Sequence, residues 1–337
     1  MEMLKSKFLQ SDNIFLVDHN KVSVTYRDIL EFSTELKFIK KNELSILIVE
    51  NDLLSYKLYL GLLLAKKPFL ILDKSLPDDF LNNFISDYLP TYIFSSSNFF
   101  ASSVLHNIHF RKIPKNNTFT IDSNIALIIP TSGSTGDRKS VMLSYKALNI
   151  NAKSISEYLE LSQKDVSITN LPLSYAYGIS ILNSHFINGG KIVVTNLSIV
   201  QKEFWELFQE FDITNFNGVP YTYSTMERMN LNIFKSKNFR FFTQAGGHLK
   251  EEVKRKYLNF CLENNKEFYV MYGQTEAAPR ISYLLLNRDP SKLNSIGIPI
   301  PNGKIYLKKD DIIIDTIMQE GELCYEGDNI YSGYAKS

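Results

Sequence analysis

Between residues 44 and 94 three short apolar runs, Leu44–Val49, Phe69–Leu72 and Thr91–Phe94, alternate with two stretches of helical character, Asp52–Ala65 and Asp78–Tyr88. This alternation limits the fold more than any other feature of the chain. Two strands separated by a helix cannot close as a hairpin. Each helix must cross the sheet and return the chain parallel to the strand it left, by a right-handed turn. The predicted core is therefore a mostly parallel sheet carrying helices on its faces. A helix also starts ahead of this region. In Thr25-Tyr26-Arg27-Asp28 a threonine hydroxyl can accept from the third N–H while the aspartate reaches back. Ile29, Leu30, Leu36 and Ile39 then continue at near-helical spacing toward Lys40.

The alternation resumes after residue 141. Ser144 reads as the cap of a helix running to about Leu159. Ser167–Asn170, Lys191–Thr195, Asp212–Phe216 and Glu267–Met271 read as strands, and Phe204–Phe211 and Leu249–Asn264 as helices. Toward the C-terminus the pattern changes to short β-prone runs, Lys304–Lys308, Ile312–Thr316 and Glu322–Tyr325, broken by Gly and Asn. The expected fold class is α/β: layered mostly parallel β-sheets with flanking helices plus a small C-terminal β-rich subdomain. The approximate subdomains are 1–165, 166–285 and 286–337.

Composition removes several function classes. A chain of 337 residues with 44% hydrophobic and 22% charged residues is an ordinary globular sequence. Its net charge of +1 offers no excess to neutralise a phosphate backbone, so no nucleic-acid partner is expected. Cys261 and Cys324 stand far apart in no metal-binding spacing, which argues against a disulfide scaffold or a zinc site. The first ten residues, MEMLKSKFLQ, lack a secretory core, and the longest apolar run, Leu58–Ala65, has eight residues. That is too short to span a bilayer. The expected location is cytoplasmic, with no membrane span.

Residues 131–141, TSGSTGDRKSV, follow the apolar run Ile125–Pro130. A phosphate group needs several donors converging on a small volume. Glycines let backbone N–H groups approach, hydroxyls add donors, and a lysine adds charge. This loop supplies all three. Gly133, Lys139 and Ser140 also fall on the P-loop pattern G-x-x-x-x-G-K-S/T, but Arg138 replaces its second glycine. Val141-Met142-Leu143 then continues as a strand, whereas a P-loop opens a helix. A loop of this composition standing alone would read as a Ser/Gly-rich surface turn.

The loop resembles the phosphate-binding loop of the adenylate-forming superfamily, S/T-S-G-S/T-T-G-x-P-K-G. That superfamily contains acyl-CoA synthetases, aryl-CoA ligases, luciferases and nonribosomal peptide adenylation domains. Thr131, Ser132, Gly133, Ser134, Thr135, Gly136 and Lys139 keep the pattern; Arg138 and Ser140 depart from it. Further pieces follow in the family's order. Leu171–Gly178, LPLSYAYG, is similar to L-P-L-F-H-x-Y-G, with Tyr175 at the aromatic His position. Asn217-Gly218-Val219-Pro220 resembles a stretch lining the acid pocket. Gly246-Gly247 resembles the glycine pair beside adenine. Tyr272-Gly273-Gln274-Thr275-Glu276 matches Y-G-x-T-E. Ser295–Pro299 and Gly321–Tyr334 resemble two later turns of the family.

The resemblance implies a set of roles. Tyr272 and Gly273 meet the adenine with Gly246 and Gly247, and Thr275 bonds the α-phosphate. Thr131 to Gly136 and Lys139 hold the phosphates. Lys139, Thr275 and Glu276 are the catalytic candidates. Glu276, with Thr135, holds Mg²⁺. Tyr175, Asn217, Gly218 and Tyr221 form the acid pocket. The implied cofactors are ATP and Mg²⁺, and the implied partners are a small-molecule carboxylic acid and, as acceptor, CoA or an acyl carrier protein. The implied reaction joins the acid to AMP with release of pyrophosphate, then transfers the acyl group to a thiol. In the family the chain continues past Gly-Tyr to a ribose-binding aspartate, a hinge and a mobile C-terminal domain bearing a lysine. This sequence stops at Ser337, so the expectation is an isolated N-terminal large domain without that catalytic part. Two other readings stand beside it. One is a nucleotide- or acyl-binding module without turnover. The other is a phosphoryl-transferring P-loop enzyme, which would release ADP rather than AMP.

Overall fold

The first helix begins where the capping pattern places it. The computed structural model describes residues 7–97, 103–105, 108–114, 121–131 and 139–335. The Thr25 hydroxyl accepts from the Asp28 N–H at 3.0 Å and the Asp28 carboxylate accepts from the Thr25 N–H at 2.7 Å, so two otherwise orphaned donors are satisfied. A cap of this kind contributes about 1 kcal/mol. The helix spans Tyr26–Glu35 and tightens into a 3₁₀ turn at Leu36–Phe38, short of the expected Lys40. Asp52 and Ser144 cap the helices Leu53–Leu64 and Tyr145–Tyr158 in the same way, each accepting from the third N–H.

The strands form four sheets, three of them mixing parallel and antiparallel pairs and the fourth wholly antiparallel. The largest has eight strands. Its parallel centre runs Ile125–Thr131, Phe69–Asp73, Ser45–Val49 and Tyr92–Ser95. A second sheet pairs Asn215–Gly218, Phe241–Gln244 and Glu267–Tyr272 in parallel, then adds Ser282–Leu285 antiparallel. A third sets Ile14–Asp18 beside Lys191–Val194. The fourth is small and antiparallel: Lys304–Lys309 between Ile312–Ile314 and Glu322–Glu326. The chain then leaves it, and Tyr334–Ala335 joins the eight-stranded sheet against Lys139–Ser144.

Two elements differ from the sequence reading. The expected strand Asp212–Phe216 begins only at Asn215. Asp212 takes φ +49 in the turn that ends the Lys202–Glu210 helix, so the extended backbone starts later. The sequence reading placed no helix between LPLSYAYG and Lys191, yet Ala176–Asn188 is a helix. Nine of its residues are buried, including Ala176, Tyr177, Ile179, Leu182 and Phe186. A helix buried around most of its circumference shows no apolar stripe to find.

The parallel sheet of the second unit rests on an aromatic core. Phe234 packs within 4.7–5.7 Å of the rings of Trp205, Phe208, Phe216, Phe239 and Phe242. Buried polar groups tie the sheets together. Asp165, 1% exposed at its side chain, accepts from Arg240 at 2.6 Å and from Thr214 at 3.1 Å. His185 lies against the Ile181 carbonyl at 2.9 Å and against the Asn215 amide at 3.1 Å, an arrangement that fits a neutral ring. Burial holds its pKa below the ordinary 6.5, against the opposing field of Asp165. The unfolded chain takes up this proton more readily than the folded one. The stability from a neutral His185 is therefore complete above pH 6.5 and falls as pH drops toward the depressed folded value. His185→Gln is expected to flatten the Tm–pH profile on the acid side of 6.5. An unchanged slope would assign that acid sensitivity elsewhere. Among the described residues no helix is long and apolar enough to cross a membrane.

Candidate active site

Three loops leave the C-terminal ends of neighbouring parallel strands, where open α/β sheets collect ligands. Gly218, Gln244 and Val270 are in register across Asn215–Gly218, Phe241–Gln244 and Glu267–Tyr272. The loops after them carry Val219-Pro220-Tyr221, Gly246-Gly247 and Gly273–Glu276. Between the second and third lies a cavity of about 420 Å³. Gly246, Gly247, His248, Tyr272 and Gly273 line it, Val270 and Met271 form its floor, and Ser295 and Ile296 close it. Tyr272 is the last residue of its strand and is 37% exposed.

Gly246 holds φ +80, which an L side chain adopts at a cost. A Cβ there would also stand 2.5 Å from the Tyr175 hydroxyl. The backbone at the glycine pair and the Tyr175 ring thus meet at one wall of the cleft. Tyr175 packs edge-on against Tyr177, 6.5 Å between centroids. The other acid-pocket candidates differ in placement. Asn217 is buried, and its side chain is committed to the interior. Its amide donates to Ser167 and Asn215, and its oxygen accepts from Thr243 at 2.6 Å. Gly218 lies beneath Tyr223, and Tyr221 is 78% exposed on the short helix Pro220–Thr225.

The phosphate side is built from the other sheet. Thr131 and Lys139 face each other at the loop end of the hairpin formed by Ile125–Thr131 and Lys139–Ser144. The Thr131 hydroxyl donates to the Lys139 carbonyl at 3.1 Å. Ser132, Gly133, Ser134, Thr135 and Gly136, the body of the candidate phosphate loop, lie outside the described residues. The Lys139 ammonium stands 5.1 Å over the ring of Tyr334, whose hydroxyl donates to the Glu276 carboxylate at 2.8 Å. That hydrogen bond raises the Tyr334 pKa. The Tyr331 N–H donates to the Glu276 carbonyl at 2.7 Å. One phenol therefore separates the base of the loop from the acid of Y-G-x-T-E. Thr275 and Glu276 form a single 3₁₀ turn that follows Tyr272-Gly273-Gln274.

Sequence reasoning passed over several residues here. His248, Ser295 and Ile296 also line the cavity, and none of them was named as a site residue. The signal for the last two was the S-x-G-x-P stretch, whose order in the chain was noticed but not its place. Tyr334 was read as a structural turn residue and proves to bridge Lys139 and Glu276. Arg280, four residues past Glu276, is buried behind Tyr177.

Residues 47–335 match the sequence model of the family described as AMP-binding enzyme. The chain belongs to this family. Among curated relatives of this AMP-binding enzyme, the polyketide synthase PksN of Bacillus subtilis is 23% identical over 99% of the chain, which spans 7% of that protein. A 2-succinylbenzoate–CoA ligase of Bacillus cereus is 26% identical over 61% of the chain, and the match spans 42% of the ligase. The chain thus spans less than half the length of either relative. Among solved structures, o-succinylbenzoate CoA synthetase of B. subtilis with ATP and magnesium ion superimposes with a TM-score of 0.77. It is 18% identical, with 96% of this chain and 70% of that one covered. The N-terminal domain of FACL13 from Mycobacterium tuberculosis gives a TM-score of 0.80 at 17% identity, with 99% and 91% covered. The chain thus shares its layered α/β architecture with the large domains of adenylate-forming enzymes.

Proposed function

We propose that this AMP-binding enzyme activates a carboxylic acid with ATP, forming an acyl-adenylate and pyrophosphate, and that a thiol of CoA or of a carrier protein then takes the acyl group. The observation that carries this reading is the row Lys139–Tyr334–Glu276 beside a cavity walled by Gly246, Gly247 and Tyr272. An exposed aromatic ring and bare glycine backbone suit a flat base. An ammonium beside the loop suits the triphosphate.

The residues present fit a magnesium ion as well. Mg²⁺ takes hard oxygen ligands, usually one or two carboxylates together with phosphate oxygens and water. Glu276 is such a carboxylate, and only one of its oxygens is engaged by Tyr334. Among the described residues no group of three His, Cys, Asp or Glu side chains could hold a metal alone. In this reading the rest of the coordination comes from the nucleotide. Bound there, the ion supplies charge neutralisation at the phosphoryl oxygens.

In the first step an acid oxygen bonds to the α-phosphorus of ATP while the bond from that phosphorus to the bridging oxygen of pyrophosphate breaks. The acid is already ionised at pH 7, so no side chain need act as a base. The chain's contribution is position and charge. Thr275 donates its hydroxyl to the α-phosphate, Lys139 faces the departing pyrophosphate, and Tyr175 bounds the acid. In the second step the thiol sulfur bonds to the acyl carbon, AMP leaves with the oxygen, and the thiol proton is released.

The reading is tested by exchange of labelled pyrophosphate into ATP across a panel of carboxylic acids, using the full chain. Exchange that depends on one acid is the expected result. A second reading is a binding module that holds nucleotide without turnover. Calorimetric binding of ATP and of stable acyl-adenylate mimics, with no exchange for any acid, would select it. Release of ADP would exclude both.

A further inference from the structure

Four cations of the described chain are buried at the level of the whole residue: Lys67, Lys254, Lys266 and Arg280. The three lysines are satisfied. Lys67 donates to the Ile39 carbonyl, Lys254 to the Leu293 carbonyl and the Asn294 side chain, and Lys266 to the carbonyls of Ser236 and Phe239. Arg280 is different. It is 2% exposed, and its guanidinium lies 4.8 Å from the centroid of the Tyr177 ring. Its side chain donates to the Ser180 hydroxyl at 3.3 Å and is hydrogen-bonded with the Tyr158 phenol, while its Nε–H has no partner among the described residues. Among the described residues no carboxylate forms an ion pair with it. A guanidinium is a fork of several donors shaped for a carboxylate and is always charged. Leaving such a fork buried with its Nε–H idle and no carboxylate against it is costly unless an anion completes it.

Its position says where that anion would come from. A Cβ on Gly273, which lines the cavity, would lie 3.1 Å from the Arg280 Cα. On the other side Tyr175 stands between the cavity wall at Gly246 and Tyr177, whose ring Arg280 covers. Tyr175 is 37% exposed, and its ring is the layer between the cavity and Tyr177. Burial raises the pKa of Tyr158, Tyr175 and Tyr177, and the Arg280 charge opposes that rise at all three.

We propose that Arg280 recognises a second carboxylate, at the far end of the acid substrate from the one that is activated, so that the substrate class is a dicarboxylic acid. The inference rests on the acyl-adenylate reading and deepens it. The reacting carboxylate lies near Glu276 and Thr275. The acid's body passes Tyr175, and its distal carboxylate meets the guanidinium behind it. Because Arg280 touches only the non-reacting end, its role is specificity.

The test measures binding of acyl-sulfamoyl-adenosine mimics to the full chain by calorimetry, in pairs that differ by the distal carboxylate: succinyl against butanoyl, adipyl against hexanoyl, carboxybenzoyl against benzoyl. At least one carboxylate member should bind ~10–100-fold tighter than its partner, the range of a charge-assisted contact. Arg280→Met should erase that preference and leave the apolar member's affinity within about twofold. Arg280→Lys should restore part of it. Equal affinity within every pair, or a preference that survives Arg280→Met, would overturn the proposal while leaving acyl-adenylate binding intact. A drop for both members alike in Arg280→Met, with lowered Tm, would make Arg280 a scaffold residue and also overturn it. If no mimic binds, the acyl-adenylate reading itself fails.

Discussion

Lys139→Ala is expected to lower kcat/KM for acid-dependent ATP–pyrophosphate exchange by ~10²–10³-fold, the cost of removing one preorganised charge donor from a transition state. The same change should barely alter stability. The Lys139 side chain is exposed and makes no ion pair among the described residues. Its one described contact is the face of Tyr334 at 5.1 Å. An exposed cation–π contact is worth about 0.5–1 kcal/mol. A large loss of rate with a small change in Tm is therefore the signature of a group that acts on the ligand. Lys139→Arg keeps the charge but alters its reach, and should recover part of the rate. Full exchange by the alanine variant would remove Lys139 from the phosphate site, and the reading built on it would fail.

Gly273→Ala should destabilise the protein by about 3 kcal/mol or more and abolish binding in the cavity. A Cβ at Gly273 would fall on the carbonyl oxygen of Pro279, well inside van der Waals contact. Neither atom can yield. Glu267–Tyr272 is hydrogen-bonded to Ser282–Leu285, and the Ile281 N–H donates to the Tyr272 carbonyl at 3.0 Å. Relief means opening that antiparallel pair, which also carries Arg280. A fall in Tm of roughly 5 °C or more is expected. Gly246→Ala provides the contrast. There the obstacle is the free end of Tyr175, which can swing away, leaving the left-handed backbone as the main cost, about 1 kcal/mol. A Gly273→Ala protein with wild-type Tm would show that the two chain segments are not packed as described.

Much of this was legible in the sequence, for physical reasons. Asp78–Tyr88 matches its expected limits because an apolar face repeats at helical spacing and acids stand in the first turn. The parallel order of Ser45–Val49, Phe69–Asp73 and Tyr92–Ser95 followed from the helices between them. The glycine pair and Tyr272 were found because their types and order resemble a family pattern. Side-chain direction was not legible. Asn217 and Tyr221 were named for the same pocket, yet one is locked into a hydrogen-bond network and the other is exposed. Asn217 lies in the strand Asn215–Gly218 and Tyr221 in the helix Pro220–Thr225 that follows it, and only packing decides which side chain meets the cleft. Nor was the bridge at Tyr334 visible, since it depends on the pairing of Tyr334–Ala335 with Lys139–Ser144, far apart in the chain. Arg280 was missed because a single arginine next to a motif has no periodicity to mark it.

That bridge has an implication for how the two banks of the cleft communicate. Tyr334 is a wedge between a cation and an anion, and little holds it. The wedge is fastened by a two-residue strand, the hydrogen bonds Met142 N–H to Gly333 O, Ser332 N–H to Met142 O and Tyr331 N–H to Glu276 O, and its own phenol. Each such bond contributes about 1 kcal/mol net. The spacing of opposite charges is thus governed by a locally fastened clip rather than by the rigid sheets behind it. Releasing the clip would remove the phenol from between both charges in a single event.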